Sequence, residues 1–235
     1  MQILKPITWA LLLVVLLPIQ GVPAAERRSF DEVPIDELIL EVQRTMQRDL
    51  ENAFVWWLPK EFWSIALQNV PTAQRGAVEN IVSDYLVLAV GQFSATLTGT
   101  FDFYSREELE DGLKVTRYRP NRDPERLTPL SYLDSNLTEV VEGFMSGMKG
   151  TLGPFGESMQ LFVFEDRYRR LDARRVDPYE AGVLSVELKD RLGEMVTAEF
   201  HTPLNTLHRP RICPNGEPAH ISWQYCPWSG EKLAE

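Results

Sequence analysis

The chain has 235 residues, with 34 acidic against 24 basic side chains and a formal net charge of −10. A summed field of that sign repels phosphate, so the balance disfavours nonspecific binding to nucleic acid or to anionic lipid, and no nucleic-acid partner is expected. The length suffices for one hydrophobic core, or for one core with a small appendage.

The first segment reads as a targeting signal. Lys5 supplies a short positive region, and Ile7 to Ile19 is an uncharged apolar run of 13 residues broken near its end by Pro18. Val22 and Ala24 then set small residues at the two positions a signal peptidase reads, which predicts a signal peptide over residues 1–24 and Ala25 as the mature N-terminus. A hydrocarbon core needs roughly 20 apolar residues in a helix, so the run is short for an anchor. No Cys follows it to carry a lipid. The expected product is periplasmic or secreted, with no stable membrane anchor after cleavage.

Beyond the signal, Ile35, Leu38, Ile39, Val42, Met46, Leu50, Ala53, Phe54 and Trp57 recur at three- and four-residue steps, which predicts one helix from about Pro34 to Val55. Pro59 opens a short helix over Lys60 to Asn69, and Thr72 stands as the N-cap of another. Val87 to Phe93 and Gly99 to Tyr104 read as strands, Ser105 and Glu108 as a capping box for a helical turn ending at Gly112, and Leu113 to Arg119 as a third strand. A proline-rich irregular crossing leads to a helix over Leu137 to Lys149. Three strands follow, Met159 to Glu165, Val183 to Leu188 and Met195 to His201, the last two joined as a hairpin around Asp190 to Gly193. Helices first and strands afterwards predict an α+β domain over residues 25–204, its N-terminal helices packed on a mainly antiparallel sheet.

The tail, residues 205–235, carries Cys213-Pro214-Asn215-Gly216 and Cys226-Pro227-Trp228-Ser229-Gly230-Glu231-Lys232-Leu233. It resembles a zinc ribbon, but Gly216 and Ser229 stand where the second thiolate of each knuckle belongs. Facing knuckles hold their leading cysteines close together, and an exported chain meets an oxidising compartment, so the resemblance implies a Cys213 to Cys226 disulfide and no bound zinc. A metal reading stays open through Cys213, Cys226, His208 and His220. The motif Trp57-Leu58-Pro59-Lys60-Glu61-Phe62-Trp63, the strand Met159 to Phe164 and the tail together are similar to a family of exported bacterial proteins with no assigned activity. That likeness transfers no catalytic residue.

Three further features invite a function beside a structural role. Phe54, Trp56, Trp57, Phe62 and Trp63 crowd around Pro59; core packing accounts for most of them, and Trp56 is the candidate for an exposed stacking surface. Arg167, Arg169, Arg170, Arg174 and Arg175 form either an anion or partner clamp, or a solvated hairpin loop partly neutralised by Glu165, Asp166, Asp172 and Asp177. Gly143, Gly147 and Gly150 weaken their helix, which close packing would explain. No nucleophile elbow, zinc-protease motif, phosphate loop or calcium loop is present. The sequence therefore points to a non-catalytic exported protein, with no cofactor, that binds a protein partner or a cell-envelope component. The alternative is a hydrolase or transferase working in a cleft between helices and sheet.

Overall fold

The computed structural model describes residues 26–168 and 173–233, and the signal-peptide expectation falls outside them. The first helix, α1 (Ile35–Val42), buries Leu38 and Val42 and then stops. The chain continues as a hairpin of β1 (Gln43–Arg48) and β2 (Glu51–Leu58), with Gln43 opposite Trp56 and Arg48 opposite Glu51. The single helix expected over Pro34 to Val55 is thus corrected to one helix and two strands. Met46 and Leu50 continue the helical step by coincidence, whereas Ala53, Val55 and Trp57 are buried at the two-residue step of a strand. Asp49 closes the turn at φ 53, a conformation that Asp tolerates better than most residues, and the β-branched and aromatic run after it favours the pleat.

Two short helices follow, α2 (Lys60–Ala66) and α3 (Thr72–Val82). Thr72 is the first helical residue of α3 and Pro71 occupies the cap without a side-chain bond, which corrects the expected cap. Strands β3 (Tyr85–Ala95) and β4 (Phe101–Phe103) lead into α4 (Arg106–Gly112), whose Ser105 and Glu108 form the expected reciprocal capping box. After β5 (Lys114–Tyr118) the crossing read as irregular contains a short strand, β6 (Glu125–Leu127), held to β5 by Leu127 opposite Val115. Helix α5 (Ser135–Leu152) starts at Asp134, whose carboxylate accepts the amides of Asn136 and Leu137, and a turn of helix α6 (Pro154–Ser158) follows it. The remaining strands are β7 (Gln160–Glu165), β8 (Arg167–Tyr168), β9 (Ala173–Arg174), β10 (Gly182–Lys189), β11 (Met195–Thr202), β12 (Arg211–Ile212) and β13 (Pro218–Ala219).

All the strand pairs are antiparallel. In the larger sheet β1, β2 and β3 run as a meander, and the far edge of β3 is shared, with β7 along Tyr85–Val90 and β4 along Phe93–Ala95. The second sheet runs β11-β10-β5-β6, with the expected β10–β11 hairpin closing around Asp190 to Gly193. Leu86 to Val90 are buried on both faces of β3, which makes that strand the axis of the core. From β2, Trp57 meets Phe200 of the second sheet at 6.1 Å, while Trp56 points the other way to Phe62 of α2 and Phe144 of α5 at 5.2 and 6.0 Å. Antiparallel sheets with helices before and between the strands make this an α+β chain. No helix among the described residues is long and apolar enough to cross a membrane.

Candidate functional site

The arginine hairpin is built from β8 and β9, and its partners come both from its own sequence and from distant elements. Arg174 donates from Nη1 to both carboxylate oxygens of Glu61 of α2, at 2.8 and 3.0 Å, and from Nε to Asp166 at 3.0 Å; Asp166 also accepts the Val176 amide at 2.8 Å. Burial works against the Arg174 charge, but Glu61 and Asp166 overcome it and hold the guanidinium above its ordinary range. For Asp166 burial is the larger effect and raises the carboxyl, against the pull of Arg174 and the Val176 amide. Arg175 pairs with Glu125 and Arg167 with Asp84. Arg169, Arg170 and Asp172 lie outside the described residues.

A second knot was missed by sequence reasoning. The Tyr168 hydroxyl accepts bonds from Arg117 at 3.0 Å and Arg119 at 2.9 Å and donates to Glu125. Burial, then the neighbouring Arg119, lowers Arg117 below its usual value. Three guanidinium groups around one carboxylate resemble an anion clamp, but Glu125 already fills it. The cleft beside Arg117 and Arg119 offers only about 10 Å³, room for a water and nothing larger. Nothing in residues 165–175 signals Glu61, Glu125, Arg117 or Arg119, because the knot forms between distant strands. Of the neutralising carboxylates expected from the hairpin itself, Asp166 pairs with Arg174 and Glu165 lies 3.9 Å from Arg175, while Glu61, Glu125 and Asp84 add partners from the body of the fold.

In the tail, Cys213 and Cys226 are disulfide-bonded with Cα atoms 5.6 Å apart and are buried with Ala219 and Leu233. The two thiolates of the metal reading are thereby consumed. His208 lies buried against the Tyr179 ring and His220 bonds Ser222, and no cluster of three metal-ligating side chains occurs among the described residues. Three aromatic residues of the tail, Trp223, Tyr225 and Trp228, reach solvent.

Trp56, expected at the surface, is half-buried between Phe54, Phe62 and Phe144. Its indole N–H is buried and has no hydrogen-bond partner among the described residues. The glycines of α5 also differ from expectation. A Cβ placed on Gly143, Gly147 or Gly150 would meet nothing within 4 Å, so they face open space instead of a packed neighbour. Gly143 lines a groove of about 520 Å³ between α3 and α5.

A second apolar space lies at the other end of α5. Leu152 and Phe155 roof a cavity of about 220 Å³ over the larger sheet, whose floor is Phe54, Gly91, Phe93 and Met159. Thr45 and Ser158 are its polar lining residues, and the Ser158 hydroxyl is spent on the Phe155 carbonyl at 2.9 Å. A charged cleft of about 390 Å³ elsewhere is lined by Tyr104, Glu108, Asp111, Lys189, Asp190 and Arg191. Its charges are mutually paired, Lys189 with Asp111 at 2.9 Å and Arg191 with Glu108 at 2.8 Å. Burial pushes the Tyr104 hydroxyl up to about 12, aided by Glu51.

No protein-family model, curated protein or solved structure matches the chain.

Proposed function

We propose that this chain is an exported, non-catalytic binding protein that holds a cell-envelope component. The observation that carries the reading is the division of labour between polar and apolar groups. The carboxylates and guanidinium groups named above pair with one another in closed knots, while the space between α5, α6 and the sheet is lined mainly by carbon, with Thr45 and Ser158 its polar residues. A general acid or base must reach a reacting atom, and a nucleophile needs an adjacent base. The lining beneath α6 contains no carboxylate, which favours holding a ligand over transforming it. The signal-like N-terminus supports delivery to the periplasm or beyond. The tail, with a disulfide where a zinc ribbon has its metal, is a covalently closed appendage suited to the same compartment.

Photo-crosslinking in cells that export the chain tests this, with the attached molecule identified by mass spectrometry. The expected result is a mature chain beginning at Ala25 with one envelope component attached in unaltered form. Turnover of that component by the purified protein would overturn the non-catalytic reading, and an intact Met1 on the cellular protein would overturn export.

A further inference from the structure

Resting on the binding reading above and naming its ligand, we propose that the cavity beneath α6 seats the acyl chain of an amphiphile with an uncharged head. Gly91 sits mid-strand in β3 without a positive φ, so its lack of a side chain is not demanded by the backbone. Glycine inside a strand is unfavourable and marks a place where something else comes close to the backbone. Here the notch it leaves is ringed by Phe54, Phe93 and Met159 and closed above by Leu152 and Phe155. Apolar cavities of about 150 Å³ stay dry and take up hydrocarbon, and this one is larger.

The apolar surface does not end at the notch. Phe155 meets Phe101 at 5.1 Å and Phe103 at 5.6 Å, and Phe93 meets Phe101 at 5.2 Å, in tilted and edge-to-face contacts that form a strip leading outward along β4. Phe101 and Phe155 remain 47% and 38% exposed, an unusual position for two rings that already touch. A notch continued by a strip fits an elongated occupant, its chain end inside and its remainder on the rings. The turn after β3 carries Thr96, Thr98 and Thr100, joined through their hydroxyls at 2.9 and 2.6 Å. Hydroxyls on a protein of net charge −10 suit a neutral head such as a glycerol ester, and an anionic head would meet an unfavourable field.

The test uses the purified mature protein and N-phenyl-1-naphthylamine, a neutral fluorescent probe, displaced by glycerol monolaurate or by laurate. The expected result is displacement by the monoester, with laurate markedly weaker. In Gly91→Leu, filling the notch removes room for about two methylenes, so the monoester should bind about tenfold more weakly. A Cβ on Gly91 meets the Met159 side chain at 3.4 Å and the Met159 Cα at 4.0 Å, both ordinary contacts, so the variant should keep its melting temperature. If it does not fold, Leu152→Gln at the exposed roof replaces it with the same expectation. Equal binding by wild type and variant, equal competition by laurate, or no displacement would each overturn the proposal. The two readings separate in cells. If Gly91→Leu still captures the wild-type envelope component, the cavity assignment fails and the binding reading stands; if the wild type captures nothing, the binding reading fails while displacement still judges the cavity.

Discussion

Arg174 and Arg191 each grip two carboxylates, one inside the fold and one outside it. The side chains of Glu61 and Asp166 are 6% and 1% exposed, whereas those of Asp102 and Glu108 are 64% and 41% exposed. The contact lists look alike, and burial separates them. Inside, water cannot replace a lost partner, so each ion is held in place by the others whatever the set contributes as a whole. Outside, water takes over at once and the pair contributes little.

The largest test is Arg174→Met, which strands two buried carboxylates and should lower the unfolding free energy by about 3–5 kcal/mol in urea titration. A loss near that of a surface pair would break the comparison. Adding Glu61→Gln and Asp166→Asn to that variant should recover much of the loss, a non-additivity that a double-mutant cycle reads directly. Next in size is Cys213→Ser with Cys226→Ser, expected to remove about 3 kcal/mol on the chain-entropy argument. That loss should be confined to the tail: hydrogen exchange rises over Arg211 to Ala219 while β3 stays protected. Gly147→Ala, on an open helix face, should raise stability by about 1 kcal/mol in the same titration.

Arg191→Met should change stability by about 1 kcal/mol or less, and its signature is in acid. The Arg191 guanidinium and the Ser105 amide hold the Glu108 carboxyl down to about 2 from an ordinary 4.5. Between those values the unfolded chain binds more protons than the folded one, so the Glu108 contribution is full above the ordinary value and fades as pH falls. Glu108→Gln should flatten that part of the acid limb of the stability curve, and an unchanged limb would show that solvent screens the interaction completely.

Elements fixed by neighbouring residues were legible in the sequence. The capping box at Ser105 and Glu108 closes within one turn, and the β10–β11 hairpin is held by Asp190, which accepts the amides of Leu192 and Glu194. Elements fixed by distant partners were not. The segment Gln43–Leu58 carries both a helical and an alternating pattern, and pairing with β3 decides between them; β6 exists because Val115 faces Leu127. The disulfide followed from the two retained knuckle cysteines, whereas the hairpin arginines gave no hint of their acceptors on α2 and β6. The apolar cavity announced itself only as an unexplained glycine at residue 91, a signal available in the sequence but meaningless before its neighbours were placed.

The shared edge of β3 also sets the order in which the chain can assemble. β2 and β3 are joined through short α2 and α3, so their ladder can zip early. Tyr85, however, waits for Glu165, and that long loop closure is slow. Until β7 arrives, the most apolar strand of the protein presents an open edge, the template on which chains pair with one another. Pulse-labelled exchange during refolding should show β2 protected before β7, and aggregation should peak in that interval. The export proposed above would bring the chain through the same interval, so a holdase that caps the β3 edge would do more for its yield than one that recognises the tail.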